Sequence, residues 1–411
     1  MTISFARRMR RVQPSAIREL LTLGADPHIT SFGGGYPDPR SFPQAELTVA
    51  YQQVLTSNGA AALQYATSKG LESLREHIAA RMRDEDITCT KDDVLIVQGA
   101  QQALDFIAKL LINKGNYIVC ESPTFLGALL AFNPYEPRYA AVAVDDEGIR
   151  VDQLDDLLNR TSGAKLIYVI PDFQNPTGVT LSLRRRHALL EVADRRDLII
   201  IEDSPYRDIR FEGESLPTLK SLDRHGRVIY VGSFSKILAP GLRTGWVVAS
   251  PIIIEKLGLL KLAADTQCST LNMTAISQLL QTFDLPGHIR RISTRYRQKK
   301  ALMLDTIRRT FPSEISCTNP SGGLFTWLTF PDRFDTQRFL HEEAIPRARV
   351  AYVPGGTFFP LAPRPNYARL SYATQTDEAI VTGISALGEL LQGERARGWP
   401  HCANRPRRKR G

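Results

Sequence analysis

No run of about 18 apolar residues occurs in the chain, so a membrane-spanning helix is not expected. The five cysteines (Cys89, Cys120, Cys268, Cys317 and Cys402) form no Cys-x-x-Cys pair. The seven histidines show neither His-x-x-x-His nor His-x-His spacing. These absences argue against a disulfide framework and a metal site, and scattered thiols in odd number fit a reduced, cytoplasmic protein. No Gly-x-Gly-x-x-Gly follows the first strand-like run and no Walker loop occurs, which speaks against nucleotide binding. No apolar block follows the basic start MTISFARRMRR, so a secretory signal is not expected. The Arg-rich, acid-free start leaves an organellar transit peptide as the alternative.

What remains is ample for a folded core. The 411 residues are 43% hydrophobic and 23% charged, enough for roughly two or three domains. The net charge of +9 resembles a nucleic-acid signal until it is located. Residues 1–11 carry four arginines and no acid, and residues 393–411 carry six arginines and one lysine against Glu394. The body between is close to neutral, so the basicity belongs to the ends. The tail RPRRKRG reads as a solvated, disordered end rather than a nucleic-acid arm.

Between about 94 and 250 the pattern is strand, turn, helix, repeated. Short β-branched runs (VLIV, YIVC, YAAVAV, LIYVI, LIII, VIYV, WVV) read as buried strands. Helical stretches such as Ala100–Ile112, Val151–Asn159 and Ser182–Arg196 separate most of them. This alternation predicts an α/β fold, a mostly parallel sheet flanked by helices. After about 290 a helical stretch (Ile289–Phe311), a Gly-rich strand and PGGTFF suggest a smaller α+β domain. The expected division is an N-terminal arm and substrate lid (1–45), a large domain (46–290), a small domain (291–392) and a basic tail (393–411). The arm holds an amphipathic segment, Ser15–Leu23.

In an open parallel sheet, ligands bind beyond the carboxyl ends of the strands. VLIV is followed by Gln98-Gly99-Ala100-Gln101, a helix start suited to a phosphate. LIYVI leads into Phe173-Gln174-Asn175-Pro176-Thr177-Gly178, and LIII into Glu202-Asp203-Ser204-Pro205-Tyr206. VIYV leads into Gly232-Ser233-Phe234-Ser235-Lys236, with Arg243 beyond. Each feature alone has a plain reading: a good turn, a loop start, a solvent lysine. Together they place an amide, an acid, a phenol and a lysine beside an anion cradle. That set suits an aldehyde cofactor with a phosphate tail.

At these residues the chain resembles the fold-type-I pyridoxal-phosphate aminotransferases of class I/II. The nearest branch contains the 2-aminoadipate and kynurenine/aminoadipate aminotransferases. The resemblance runs from about Pro14 to Leu391. It rests on PSAIRELL, SFGGGYPDPRSFP, LQYATSKG, GAQQALD, FQNPTG, EDSPY, SFSKILAPGLR, SGGLFTW, VPGGTFF and ARLSYA, in that order. It implies pyridoxal 5'-phosphate as cofactor and ping-pong exchange of an amino group between an L-amino acid, of 2-aminoadipate, aromatic or branched-chain type, and a 2-oxo acid, with 2-oxoglutarate expected. It also implies Lys236 as the Schiff-base lysine and proton carrier, and Asp203 as partner of the pyridine nitrogen. Asn175 and Tyr206 would bond the ring's phenolic oxygen. Ser233, Ser235, Arg243, Gln101 and the helix start at Gly99 and Ala100 would hold the phosphate, with Phe125 stacked on the ring. Tyr65 would reach the cofactor of a neighbouring subunit, which implies a homodimer with shared sites. Arg369 matches the arginine that takes the substrate α-carboxylate, a task for its planar fork. Arg18 would bind a distal carboxylate, or else is an ordinary arginine on the arm. Gly34 and Gly35 match the loop whose backbone approaches the substrate, together with Asn175.

Three positions depart from the family pattern. Ala100 stands where a serine is common, Phe125 where a tyrosine stacks on the ring, and Tyr36 where an aliphatic residue is common. The first two should leave the chemistry intact, and Tyr36 is expected to reshape the side-chain pocket. Two competing readings remain: a pyridoxal-phosphate lyase on the same fold, and a non-catalytic amino-acid sensor. Because Arg369 would hold the carboxylate, it argues against decarboxylation. A resemblance beginning near Pro14 leaves no expected room for a preceding winged-helix domain.

Overall fold

The β-branched runs condense into one eight-stranded sheet. The computed structural model of the chain describes residues 3–12 and 26–399. After β1 (Thr30–Ser31) come the sheet strands β2 (Val94–Val97), β3 (Tyr117–Ser122), β4 (Arg138–Asp145) and β5 (Gly148–Ile149). They are followed by β6 (Ala164–Val169), β7 (Ile199–Asp203), β8 (Val228–Ser233) and β9 (Gly245–Val248). The order across the sheet is β2-β9-β8-β7-β6-β3-β4-β5.

The sheet is mixed rather than uniformly parallel. Its centre, from β8 through β7, β6 and β3 to β4, is parallel. β9 runs antiparallel to both β8 and β2, and β5 antiparallel to β4. No crossover helix separates β8 from β9, so the chain returns antiparallel beside its predecessor. Two reversals restore the direction of β2, whose carboxyl end therefore lies at the same edge as those of β3, β6, β7 and β8. Every loop singled out from the sequence is thereby delivered to one edge.

Side chains alternate between two apolar layers with a period of two. Ile118, Tyr168, Ile201 and Ile229 join the layer on one face, and Val119, Ile167, Ile200 and Val228 the other. Helices including Ala100–Leu111 and Leu183–Arg195 cover the sheet, the second capped by the Ser182 hydroxyl accepting from Arg185 N–H. The run YAAVAV differs from its reading as a buried strand. It lies in β4, whose residues alternate between buried and accessible because Ala140 and Val142 pack into one apolar layer while their neighbours point to the less covered face. Val151–Asn159 is likewise a 3-10 turn followed by the helix Leu154–Asn159.

Beyond the large sheet, β10 (Ser316–Cys317), β11 (Phe325–Thr329), β13 (Val353–Pro354) and β14 (Tyr367–Ser371) form an antiparallel sheet in the order β10-β11-β14-β13. β12 (Val350–Ala351) pairs in parallel with β1. Phe32 N–H donates to Ala351 C=O at 2.7 Å and Ser371 N–H to Phe32 C=O at 2.7 Å, so the Gly33-Gly34-Gly35 run is anchored beside β14. The segment Ser15–Leu23 lies outside the described residues. Position 393, where a basic tail is expected to begin, lies inside helix Asp377–Ala396, and the Trp399 ring packs edge-on against Phe334 at 5.4 Å. Among the described residues no helix is long and apolar enough to cross a membrane.

The segment after β1 is pinned from below by helix Leu285–Thr310. Lys299, fully buried on that helix, donates to Asp38 Oδ2 at 2.8 Å and to Ala373 C=O at 2.6 Å. The Tyr296 hydroxyl accepts from Asp38 N–H at 2.8 Å. Asp38 also accepts from the more exposed Arg40 at 2.8 Å and 2.9 Å, so losing Lys299 removes its buried partner and leaves the other. Lys299→Met is therefore expected to lower stability by about 2 kcal/mol, read as a fall in Tm. An unchanged Tm would exclude a structural role for this pair.

Candidate active site

Where the strand ends converge, one pocket is lined by residues from both sheets. The large sheet supplies Ala100 and Gln101 after β2, Phe125 after β3, and Asn175 after β6. Asp203 and Tyr206 follow from β7, and Ser233, Ser235, Lys236 and Arg243 from β8 and its loop. Across the opening stand Arg369 on β14 and the glycine loop with Tyr36.

At the floor, Asp203 is 1% exposed. Its Oδ2 accepts from the Tyr168 hydroxyl at 2.8 Å, and its Oδ1 is buried with no hydrogen-bond partner. Burial pushes its carboxyl up to about 7, opposed by the Tyr168 hydrogen bond and the charge of Lys236. Lys236 Nζ donates to Gly35 C=O at 2.8 Å. Burial lowers its ammonium to about 8, and the positive charges of Arg369 and Arg243 add to the effect. Tyr206 lies beside it, with Lys236 Nζ 6.0 Å from the ring centre. Asn175 Nδ2 donates to the Tyr206 hydroxyl at 3.3 Å, and burial raises that phenol to about 12.

An anion cradle lies beside this group. Gly99 precedes helix Ala100–Leu111 with φ of +75°, in the left-handed region that favours glycine. A Cβ there would lie 2.6 Å from an Arg243 guanidinium nitrogen. The Ser235 N–H donates to the Ser233 hydroxyl at 3.1 Å, and the two hydroxyls are 2.9 Å apart. The Gln101 side chain instead donates to Gly127 C=O at 2.7 Å, leaving its helix-start backbone as its contribution to the cradle.

Arg369 is buried between two rings, its guanidinium carbon 4.2 Å from the Phe325 centre and 5.1 Å from that of Phe358. One terminal nitrogen donates to Asn175 Oδ1 at 2.9 Å, the other to Gly33 C=O at 2.7 Å, and Nε has no partner. Burial lowers the guanidinium to about 10. This is no surface ion pair; the cation lacks a carboxylate partner and stands ready for one.

Of the described residues singled out from the sequence, Tyr65 and Gly99 are not among those that line the pocket of their own chain. Tyr65 is 81% exposed and does not line it. Arg18 lies outside the described residues. Sequence reasoning missed Gly33, Tyr168, Phe325 and Phe358. Gly33 and Phe358 sat in quoted motifs without a role, whereas Tyr168 was signalled only by a hydroxyl inside an aliphatic strand. It also missed Glu121 at the end of β3, buried and accepting from Ile170 N–H and Gln174 Nε2, both at 3.2 Å. Burial pushes Glu121 up to about 8, reinforced by the charge of Asp203.

The residues fit pyridoxal phosphate on a direct observation. The orphaned Asp203 Oδ1 faces the pocket without a donor, and a protonated ring nitrogen would be one. The backbone at Gly99, with Arg243 and the two serines, accepts a dianion, and Lys236 offers the amine. No group of three or more metal-ligating side chains occurs among the described residues.

A family model described as aminotransferase class I and II matches residues 34–387. An aromatic-amino-acid aminotransferase of Thermococcus litoralis is 40% identical over 395 residues, covering 95% of this chain and 94% of the relative. A solved kynurenine aminotransferase of Pyrococcus horikoshii superposes with a TM-score of 0.91 at 37% identity, covering 95% of this chain and 97% of the other. An α-aminoadipate aminotransferase of Thermus thermophilus, solved with N-(5'-phosphopyridoxyl)-L-leucine, gives 0.89 at 37% identity, covering 96% and 98%.

Asp203 and Glu121 hold their protons more tightly in the folded than in the unfolded chain. Such groups make stability fall as pH rises, from the ordinary carboxylate range toward the folded values. The cofactor-free protein is therefore expected to lose Tm between pH 5 and 7, by up to about 1.4 kcal/mol per pH unit per group. Glu121→Gln should flatten that slope; a slope identical to the parent protein's would contradict the assignment.

Proposed function

This chain belongs to the class I and II aminotransferases, and from that premise we propose a cytoplasmic, homodimeric transaminase with ping-pong exchange between an aromatic or branched-chain amino acid and 2-oxoglutarate. The observation that carries this reading is the convergence of Lys236, Asp203 and Arg369 on one pocket. Bound pyridoxal phosphate supplies an electron sink for the pair released when the substrate's Cα loses its proton. Asp203 Oδ1 would take the ring N–H and keep that sink charged. Asn175 and Tyr206 would serve the phenolic oxygen. Ser233, Ser235, Arg243 and the helix start at Gly99 and Ala100 would hold the phosphate, and Phe125 would pack on the ring.

Arg369 binds the α-carboxylate, exchanging its bonds to Asn175 and Gly33 for a charged partner. That grip orients Cα toward Lys236, whose lowered basicity suits an amine that must be neutral to accept the proton and cationic to return it. Closing Gly34, Gly35 and Tyr36 over the substrate excludes water. This assigns residues 1–45 and 291–392 to a lid and small unit working against residues 46–290.

Tyr36, Phe125, Leu126, Val353 and Phe358 give the pocket apolar walls, which favours an apolar or aromatic side chain. Among the described lining residues the cations are Lys236, Arg243 and Arg369, all with roles already given. The family resemblance assigns the distal carboxylate of 2-oxoglutarate or 2-aminoadipate to Arg18. The exposed Tyr65, with Leu55 and Leu63 nearby in sequence, supports a face covered by a second subunit whose cofactor phosphate Tyr65 reaches.

The test is an absorbance titration of the purified holoenzyme without added oxo acid. Phenylalanine and leucine are expected to convert the visible cofactor band to a near-ultraviolet one, and 2-oxoglutarate to restore it. Release of ammonia in place of a reversible conversion would point to a lyase. Lys236→Ala should lower turnover on the order of 10³–10⁴-fold. Tyr65→Phe should weaken cofactor binding about tenfold in a protein that sediments as a dimer; a monomer with full affinity would sink the shared site.

A further inference from the structure

Tyr168 is a phenol in the middle of a strand whose flanking side chains are aliphatic. It is fully buried, and it lies in register with Ile201, two residues before Asp203 on the same face of the sheet. Its ring packs edge-on against Phe132 at 5.5 Å, so its direction is set by packing. Its hydroxyl donates to Asp203 Oδ2 at 2.8 Å. With Oδ2 engaged and the phenol fixed, rotation of the carboxylate is restrained, and the unpaired Oδ1 is the oxygen left for the pocket.

The same bond acts on charge. A donor to a buried carboxylate favours the ionised form against desolvation. The other titratable groups around Asp203 are Lys236 after β8, Tyr206 after β7, and Glu121 with Cys120 on β3. Glu121 opposes a second negative charge nearby. Lys236 favours that charge but donates to Gly35 C=O and not to the carboxylate. Tyr168 is the one side chain bonded directly to the carboxylate among the described residues.

We propose that Tyr168 is a positioning residue, holding the Asp203 carboxylate in the orientation and charge state in which Oδ1 takes the N–H of the cofactor's pyridine ring. The inference rests on the reading of Asp203 as the ring-nitrogen partner. Tyr168 touches neither substrate nor cofactor and acts through Asp203 alone.

The experiment compares the parent holoenzyme with Tyr168→Phe, Asp203→Ala and the double variant. Two quantities are read: the dissociation constant for pyridoxal phosphate and the midpoint pH of the visible band of the lysine-bound cofactor. Tyr168→Phe keeps the ring and its packing, and equal Tm values of the cofactor-free forms check that the fold is kept. Tyr168→Phe is expected to raise the dissociation constant about tenfold. It should also move the midpoint upward, because a ring carrying less positive charge makes the adjoining nitrogen hold its proton more tightly. kcat should fall with little change in KM. In the Asp203→Ala background, adding Tyr168→Phe should change neither quantity. Parent-like values in Tyr168→Phe alone would overturn the proposal, as would an equal effect on top of Asp203→Ala. If Asp203→Ala itself moved neither quantity, the reading of Asp203 would fall first.

Discussion

Desolvation of Asp203, Lys236 and Arg369 in one pocket moves all three toward their neutral forms, and no contact inside the protein fully offsets it. The carboxylate has one oxygen without a donor, and the guanidinium has an Nε without an acceptor. With Arg243 also lining the pocket, positive charge exceeds negative. Such a site is electrostatically incomplete by construction. A ligand that brings a cationic ring nitrogen to Asp203, a phosphate to Arg243 and a carboxylate to Arg369 supplies each missing partner.

Maintaining charged groups away from water requires a stiff surround. Asp172, fully buried after β6, accepts from Arg186 at 2.8 Å and Arg207 at 3.0 Å, with Arg210 at 3.4 Å. Arg207 follows Tyr206 directly and also pairs with Glu85 at 2.5 Å. The cluster therefore joins the loop carrying Asn175 to the loop carrying Tyr206. Its charges hold Asp172 below the usual carboxylate range despite complete burial. A buried charge network of this kind contributes less to net stability than to uniqueness of geometry. Here the geometry concerned is the spacing of the Asn175 and Tyr206 side chains, which meet in a hydrogen bond of 3.3 Å.

Much of this was legible in the sequence because it depends on local patterns. β-branched runs named the central strands, and the order of loops after them named Asp203, Asn175, Tyr206 and Lys236. What was not legible depends on pairing across long separations. The reversal of β9 follows from the missing helix between β8 and β9, yet the pattern of VIYV and WVV alone does not distinguish parallel from antiparallel neighbours. The half-covered β4 has the composition of a buried strand. Tyr168 gained its role only when β6 and β7 were set in register. The Gly33 carbonyl could be matched with Arg369 only after β1 and β14 had been joined through Phe32.

Arg369 shows how these levels combine. On β14 it is opposite Trp327 of β11 and Val353 of β13, at the centre of the small sheet. Its guanidinium leaves that sheet between two phenyl rings and bonds Asn175, which belongs to the large sheet. Asn175 in turn bonds Tyr206. A carboxylate that engaged Arg369 would compete with the Asn175 carbonyl and the Gly33 backbone at once. Freed Gly33 belongs to the loop whose Gly35 carbonyl accepts from Lys236. An anion at Arg369 would thereby be felt at Lys236 through two short paths, one by charge and one through the glycine loop. The basicity of Lys236 is depressed partly by Arg369, so an anion that neutralised that arginine would raise the affinity of the lysine for a proton.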